Sequence, residues 1–540
     1  MYTRRTPRSA SGSGGLHRRT RNRAKTAVGL LATAALLVSA CSSGSATTSA
    51  ASAAAEAALV ELPQATPAAL TSYYAQKPAW RGCGVPGFEC ATLKAPLDYA
   101  KPSSGDVRLA LTRKKATGPG KRLGSLLVNP GGPGGSAIGY VQAYAGIGYP
   151  AEVRARYDMV AVDPRGVARS EPIKCLDGPG MDRYTQTDAT PDDVKETDGL
   201  VAAHRTFAEG CGADAPRLLR HVSTVEAARD MDIVRAVLGD EKLNYVGASY
   251  GTFLGATYAG LFPDRAGRLV LDGAMDPSLP ARRLNLEQTA GFETAFRSFA
   301  KDCVRQADCP LGGKGTSPDR VGENLRVFFA KLDTRPVPTG HADGRRLTES
   351  LATTGVIAAM YDEGSWEQLR EALTSAIKDN DGSGLLVLSD GYYERDADGA
   401  YSNLMFANAA VNCLDLPASF DTPDEVSRAL PEFEKASPVF GKGLAWAALN
   451  CAYWPVQATG EPHRIEAKGA APIVVVGTTR DPATPYRWAK ALAGQLSSAR
   501  LLTYEGDGHT AYGRGSSCID RTINAYLLRG TPPTDGKRCS

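Results

Sequence analysis

Residues Leu243-Asn244-Tyr245-Val246-Gly247-Ala248-Ser249-Tyr250-Gly251-Thr252 constrain the fold of this chain more than any other stretch. A short apolar strand runs into the pattern G-x-S-x-G, and a small-residue helical pattern of Phe253, Leu254, Ala256, Tyr258 and Ala259 follows at once. A turn passing directly from strand to helix is so tight that the residues flanking the serine must be nearly free of side chain. Gly247 and Gly251 meet that need, and the turn pushes the Ser249 hydroxyl out above the sheet edge as a candidate nucleophile. The pattern alone recurs by chance in a chain with 57 glycines. The strand before it and the helix after it set it apart from a plain glycine turn.

A serine is inert without a base. In α/β-hydrolases, which build such an elbow, the partners follow in the order Ser, acid, His. Ala471-Pro472-Ile473-Val474-Val475-Val476-Gly477 reads as a buried parallel strand, and the loop Thr478-Thr479-Arg480-Asp481-Pro482-Ala483-Thr484-Pro485 places a carboxylate just past its end. Residues 499–504 read as the last strand, and Glu505-Gly506-Asp507-Gly508-His509-Thr510 follows it. Of six histidines, His17 lies in the leader, His204 and His221 precede the elbow, and His341 and His463 fall between the elbow and Asp481. His509 is therefore the expected general base and Asp481 the acid that orients it. Asp272, at the end of Arg268-Leu269-Val270-Leu271-Asp272, is the rival acid; Asp507 is too close to His509 in one tight loop to orient it.

The strand Gly124-Ser125-Leu126-Leu127-Val128-Asn129 leads into Pro130-Gly131-Gly132-Pro133-Gly134-Gly135-Ser136. Backbone amides aimed at a developing oxyanion must approach it closely, which favours glycine. The expected pair is the amide of Gly132 and that of Tyr250, just after the nucleophile. Neither G-x-G-x-x-G nor G-x-x-x-x-G-K-[ST] is matched, so the loop does not read as a phosphate cradle. Asn129-Pro130-Gly131-Gly132-Pro133-Gly134-Gly135-Ser136, Asp163-Pro164-Arg165-Gly166, Gly247-Ala248-Ser249-Tyr250-Gly251-Thr252, Asp481-Pro482-Ala483-Thr484-Pro485 and Gly508-His509 occur in order. Together they resemble the secreted tripeptidyl aminopeptidases of actinomycetes, relatives of the proline iminopeptidases, over roughly residues 80–540. The resemblance implies a serine exopeptidase that removes short peptides or single residues from free N-termini. One departure is Ala168, where relatives usually carry a second glycine; it bears on that loop's conformation.

The N-terminus reads as an export signal. Residues 1–25 hold eight Lys/Arg and no acid, and the apolar stretch 26–40 is too short for a permanent membrane span but suits a signal peptide. Val38-Ser39-Ala40-Cys41 resembles a bacterial lipobox, in which Cys41 is lipidated and becomes the new N-terminus, a membrane anchor. Arg18-Arg19 raises twin-arginine export, but the residues after it fit that signal poorly, so the general secretory route is favoured. Removing the leader's eight positive charges turns the formal +4 into −4, so the basic balance is a targeting signal and no nucleic-acid partner is expected. Of 11 cysteines Cys41 is claimed by the lipobox. The other ten fall as near neighbours, Cys83 with Cys90, Cys175 with Cys211, Cys303 with Cys309, Cys413 with Cys451 and Cys518 with Cys539. Local pairing in an oxidising compartment is the expectation, although connectivity does not follow from sequence. C-x-x-C pairs are lacking and no metal or cofactor is expected.

The expected architecture is α/β: an α/β-hydrolase fold, a mostly parallel sheet with helices on both faces and a large, mainly helical inserted cap domain. Residues 1–40 form the leader, 41–79 a flexible Ser/Ala/Thr-rich tether, 80–273 and 471–540 the two parts of the core, and 274–470 the cap. Helical patterns are expected at 285–303, 321–332, 347–360, 365–378, 401–413 and 424–436, and earlier core strands at 107–111, 126–129 and 157–163. An exopeptidase must also bind a free α-ammonium, for which Asp415 is the expected carboxylate, with Glu363 and Glu394 as weaker rivals. The partners expected are peptides or proteins with free N-termini. A secreted esterase or lipase with the same machinery and a non-catalytic peptide-binding lipoprotein are the competing readings.

Overall fold

The computed structural model describes residues 67–540; the leader, Cys41 and the lipobox lie outside the described residues. Among the described residues twelve strands are formed: β1 (Arg81–Gly82), β2 (Glu89–Pro96), β3 (Asp106–Lys114), β4 (Gly124–Asn129), β5 (Tyr157–Val162), β6 (Leu243–Ala248), β7 (Ala266–Asp272), β8 (Val337–Pro338), β9 (Arg346–Leu347), β10 (Ile473–Arg480), β11 (Ala499–Asp507) and β12 (Lys537–Cys539). All but the small β8–β9 ribbon join one sheet in the order β1-β2-β3-β5-β4-β6-β7-β10-β11-β12. Pairing is parallel from β5 to β12 and antiparallel among β1, β2, β3 and β5. This is the α/β-hydrolase architecture.

The central strands are apolar throughout because both faces are covered. Alternation then assigns each residue to a face. Leu126, Val128, Met159, Val246, Val270, Val474 and Val476 enter the core on one side. Leu127, Val160, Tyr245, Leu269, Leu271, Ile473 and Val475 enter the core on the other.

The main helices are α1 (Val194–Asp214), α2 (Thr224–Val237), α3 (Tyr250–Leu261), α4 (Ala281–Cys303), α5 (Pro318–Thr334), α6 (Glu349–Met360), α7 (Trp366–Thr374), α8 (Ser383–Tyr393), α9 (Leu404–Asp415), α10 (Pro423–Ala436), α11 (Gly441–Ala447), α12 (Tyr486–Gln495) and α13 (Ser517–Arg529). Their starts are written locally: Ser223, Ser317, Thr348 and Thr422 each accept a backbone N–H of the first turn, and Pro318 and Pro423 occupy first positions where no N–H is required. The six expected helical stretches correspond to α4, α5, α6, α7, α9 and α10, with shifted ends. Helices α8 and α11 were not anticipated. Between β7 and β10, α4–α8 enclose a core of their own, with Phe292, Phe296, Phe299, Leu325, Phe329, Leu351, Leu369 and Leu385 buried together.

Three local expectations change or sharpen. The stretch expected as a flexible tether to residue 79 is packed over its described end: Leu70 is buried, the Tyr74 hydroxyl donates to Asp232 at 2.8 Å, and the Gln76 amide pairs with the backbone of Lys94. All five cysteine pairs join as near neighbours, Cys83–Cys90, Cys175–Cys211, Cys303–Cys309, Cys413–Cys451 and Cys518–Cys539. Ala168 lies at φ +43°, the left-handed region that a glycine would adopt freely and that costs an alanine about 1–2 kcal/mol.

The loop after β5 is organised by a buried cation. Arg165, 1 % exposed, donates two 2.7 Å bonds to Asp230 and further bonds to the carbonyls of Pro96, Leu97 and His221. With every donor engaged, a charge at zero exposure is tolerable; removal of one partner leaves the other uncompensated. Arg165→Ala is expected to cost about 3–5 kcal/mol of stability. Thermal melting of the single variant should show a larger drop than that of Arg165→Met/Asp230→Leu, which removes both charges.

Candidate active site

The site is assembled where β6, β7 and β10 end side by side. Ser249 follows β6 at φ +56°, ψ −125° and is the N-cap of α3. The strain is enforced from both sides: a Cβ on Gly247 would fall 2.3 Å from the Gly251 carbonyl, and one on Gly251 would fall 2.9 Å from the Asn129 carbonyl. The Ser249 amide donates to the Asp272 carbonyl at 2.9 Å, and Thr252 closes the turn by donating its amide and hydroxyl to the Ser249 carbonyl.

Asp481 and His509 meet on the far side of β7. His509 Nδ1 donates to the Asp481 carboxylate, 2.8 and 2.9 Å from its two oxygens. Asp481 is buried and also accepts the amides of Ala483, Thr484 and Thr510, a set that fixes its position. The proton on Nδ1 leaves Nε2 with its lone pair, and that buried atom has no hydrogen-bond partner among the described residues. The imidazole lies over Gly273, where an added Cβ would come 3.2 Å from His509 Cε1. Gly273 is the residue after the carbonyl that holds the Ser249 amide, so serine and imidazole flank one point of the sheet edge.

The loop 130–136 completes the arrangement. Gly131 at φ +96° lies against the elbow so closely that a Cβ would sit 2.5 Å from the Ala248 carbonyl and 2.8 Å from Ser249 Cβ. Its amide is tied back to Asn129 Oδ1 at 2.9 Å. Gly132 follows at φ +113°. The Tyr250 N–H, at the first position of α3, has no intrahelical carbonyl to reach. The structure thus sets Gly131, the residue before Gly132, against Ser249 and the Tyr250 amide on one side of Gly273, and Asp481 with His509 on the other.

Residues 124–355 match the α/β-hydrolase fold family, and residues 437–539 match the family described as TAP-like protein. The chain is 39% identical over 468 residues to serine protease Hip1 of Mycobacterium tuberculosis, covering 84% of this chain and 87% of that one. It is 36% identical over 459 residues to carboxylesterase B of the same organism, with 84% and 86% covered. It is 32% identical over 477 residues to the tripeptidyl aminopeptidase of Streptomyces lividans, with 84% and 83% covered. The chain belongs to the TAP-like serine peptidases of the α/β-hydrolase fold. It is a serine hydrolase.

Within this TAP-like frame the remaining carboxylates fall into place. Asp272, the rival acid, does not bond the imidazole; its buried carboxylate accepts the amides of Ala511 and Tyr512 and so anchors the loop just after His509. Asp507 is held by Arg480 through two bonds of 2.7 and 2.6 Å. Glu394 accepts the Ser402 hydroxyl, and Glu363 borders a polar groove with Arg480 and Asp507.

Asp415, the carboxylate expected to receive a substrate ammonium, ends α9 half-buried, with one oxygen accepting the Thr224 amide at 2.8 Å and the other the Thr224 hydroxyl at 2.5 Å. The Thr224 hydroxyl in turn meets the Tyr250 hydroxyl at 2.6 Å. Each carboxylate oxygen thereby bonds the start of α2, and Asp415 also lines an adjoining cavity of about 30 Å³ with Tyr250 and Asn412.

Three neighbours of the site have no role that the sequence assigned them. Tyr361 accepts the His509 amide through its carbonyl at 2.9 Å and sets its ring edge-on at 5.6 Å from the imidazole. Thr484 brings its hydroxyl to 3.4 Å from His509 Nδ1. Asn408 donates to the Pro133 carbonyl at 3.1 Å and fastens α9 onto the 130–136 loop. Each is an ordinary residue type that gains its place only through packing.

Gly131→Ala should lower the thermal midpoint and slow labelling of Ser249 by a fluorophosphonate at least about tenfold, since backbone must move to admit the methyl. Burial raises the Asp415 carboxyl from its ordinary 3.8 to about 7, against the two Thr224 bonds that oppose the rise. Between those values the folded chain keeps a proton that the unfolded chain has lost, so this residue makes stability fall as pH rises from about 4 to 7 and level off above. Asp415→Asn retains an acceptor for Thr224 and cannot ionise. Thermal midpoints at pH 5 and pH 8 should therefore differ less in this variant than in the parent.

Proposed function

We propose that this chain is an exported serine exopeptidase that releases short peptides, tripeptides foremost, from free N-termini through an acyl-enzyme on Ser249. The observation that carries the reading is the Asp481–His509 pair poised beside the strained Ser249 elbow, in a chain similar to a tripeptidyl aminopeptidase and to a serine protease. His509 Nε2 takes the serine proton as Oγ attacks the scissile carbonyl, and Asp481 holds the imidazole tautomer and stabilises the imidazolium. The Gly132 and Tyr250 amides receive the oxyanion, each worth about 3–4 kcal/mol in the transition state. His509 then protonates the leaving amine, and water resolves the ester. The helices between β7 and β10 act as the cap that limits access to chain ends.

Export is supported by the leader pattern and by five disulfides, which persist in oxidising compartments. Among the described residues no helix is long and apolar enough to cross a membrane. Cys41 is the proposed lipid anchor.

An esterase is the second reading, favoured by the similarity to a carboxylesterase. A panel of tripeptide anilides with free and acetylated N-termini separates the two. A desolvated ammonium held by a charged hydrogen bond is worth about 1.5–3 kcal/mol, so free termini should be preferred about 10–100-fold. Equal turnover of blocked peptides, or turnover of esters alone, would decide for the esterase. Ser249→Ala should abolish fluorophosphonate labelling, and Asp481→Asn should lower kcat about 10⁴-fold with the fold intact.

A further inference from the structure

A partly open cavity of about 150 Å³ lies among α1, α6, α9 and α11. Its wall is largely apolar, with Leu200, Phe207, Phe329, Ile357 and Ala409 exposed to the space. Native interiors are packed to crystal-like density and rarely keep voids larger than a water. A cavity of this size is comparable to those that stay dry and accept a benzene ring.

Two polar atoms on the wall are unusual. His204 is 5 % exposed; its Nδ1 faces the Tyr184 hydroxyl at 3.3 Å, while its Nε2 has no hydrogen-bond partner among the described residues. Burial depresses this imidazole to about 4, so it is neutral at physiological pH. Asn450 presents an equally unpartnered buried Oδ1. Buried polar groups left unsatisfied cost roughly 1–3 kcal/mol each, and two beside one apolar void require a reason.

The cavity shares walls with the catalytic region on two sides. Asn408 lines it and also donates to the Pro133 carbonyl, directly after Gly132. The Leu404 carbonyl of the same helix lies so near Gly134 that a Cβ there would approach to 2.4 Å. On the other side Ile357 of α6 lines the cavity, and Tyr361, four residues and about 6 Å further along, holds the His509 amide. Asn408 and Ile357 thus connect the cavity wall to the oxyanion loop and to the backbone that holds His509.

We propose that this cavity is a specificity pocket for a large apolar side chain of the substrate on the acyl side of the scissile bond. The proposal rests on the peptidase reading above. Its apolar wall takes the body of the side chain, and His204 Nε2 and Asn450 Oδ1 accept hydrogen bonds from it, which suits rings carrying an N–H or O–H.

The test is a positional scan of free-N-terminal tripeptide anilides with Ala, Leu, Phe or Trp at each position. The parent enzyme should prefer a large apolar residue over Ala by at least tenfold in kcat/KM at one position. In Ala409→Phe, which fills the cavity, that ratio should fall at least tenfold at the same position alone. An unchanged ratio, or an equal loss at all three positions, overturns the proposal. As a control independent of the folding of the filled variant, indole binding to Ser249→Ala is measured by thermal shift and by competition. Indole should raise the midpoint of Ser249→Ala and of neither Ser249→Ala/Ala409→Phe nor Ser249→Ala/Ile357→Trp. Absence of any indole effect overturns the pocket. Indole binding with an unaltered substrate ratio shows a cavity unrelated to specificity and overturns it too. If the parent cleaves no peptide, the peptidase reading fails, and the indole arm still decides whether the cavity binds rings.

Discussion

The hydrogen bond from the Ser249 amide to the Asp272 carbonyl is the reference point of the whole site. Strand β7 lies between β6, which carries the serine, and β10, which carries Asp481. Its last residue touches both sides. The carbonyl of Asp272 holds the elbow, its carboxylate holds the amides of Ala511 and Tyr512 beyond His509, and Gly273 leaves the space in which the imidazole sits. A residue that competes for the acid role in the sequence is in the structure the frame on which nucleophile and base are aligned. Small errors in such alignment are expensive in rate, which explains the use of a buried, doubly bonded carboxylate for a purely positional task.

Charge burial recurs around the site. Arg165 with Asp230, Asp163 with the Ser136 hydroxyl and the Ile138 amide, and Asp481 with three amides all sit out of water with their hydrogen-bonding capacity engaged. Such groups add little net stability relative to apolar packing. They do define one geometry, because displacement leaves a charge unpaired in a medium of low dielectric. The loops at 130–136 and 163–170 are cross-tied this way, through Asp163 to Ser136 and through Asn403 to the Ala168 amide and the Gly166 carbonyl.

The helical stretch between β7 and β10 has a separate core but is not independent of the site. Its bonds to the rest of the chain include Tyr361 to the His509 backbone, Asn408 to Pro133, and Asp415 to Thr224 beside the Tyr250 hydroxyl. Changes within this region therefore reach the serine, the base and the oxyanion loop through single hydrogen bonds.

The elbow, the glycine loop and the order of Ser249, Asp481 and His509 are legible in the chain because each depends on local constraints. Only glycine fits beside a strand-to-helix turn, only apolar alternation fits a sheet covered on both faces, and a carboxylate or histidine at a strand end is visible as such. The five disulfides were legible for a related reason, since each closes a short sequence interval. Asp415 stands out in the chain as a carboxylate at a helix end, but its bond to Thr224, 191 residues away, is visible only in the fold. Tyr361, Asn408 and the cavity around His204 were invisible, since nothing local distinguishes them. Chain-local sterics and hydrophobic period determined the sheet and the candidate machinery; which distant side chains close over it was decided by packing alone, because contacts between remote segments exist only once the sheet has brought them together.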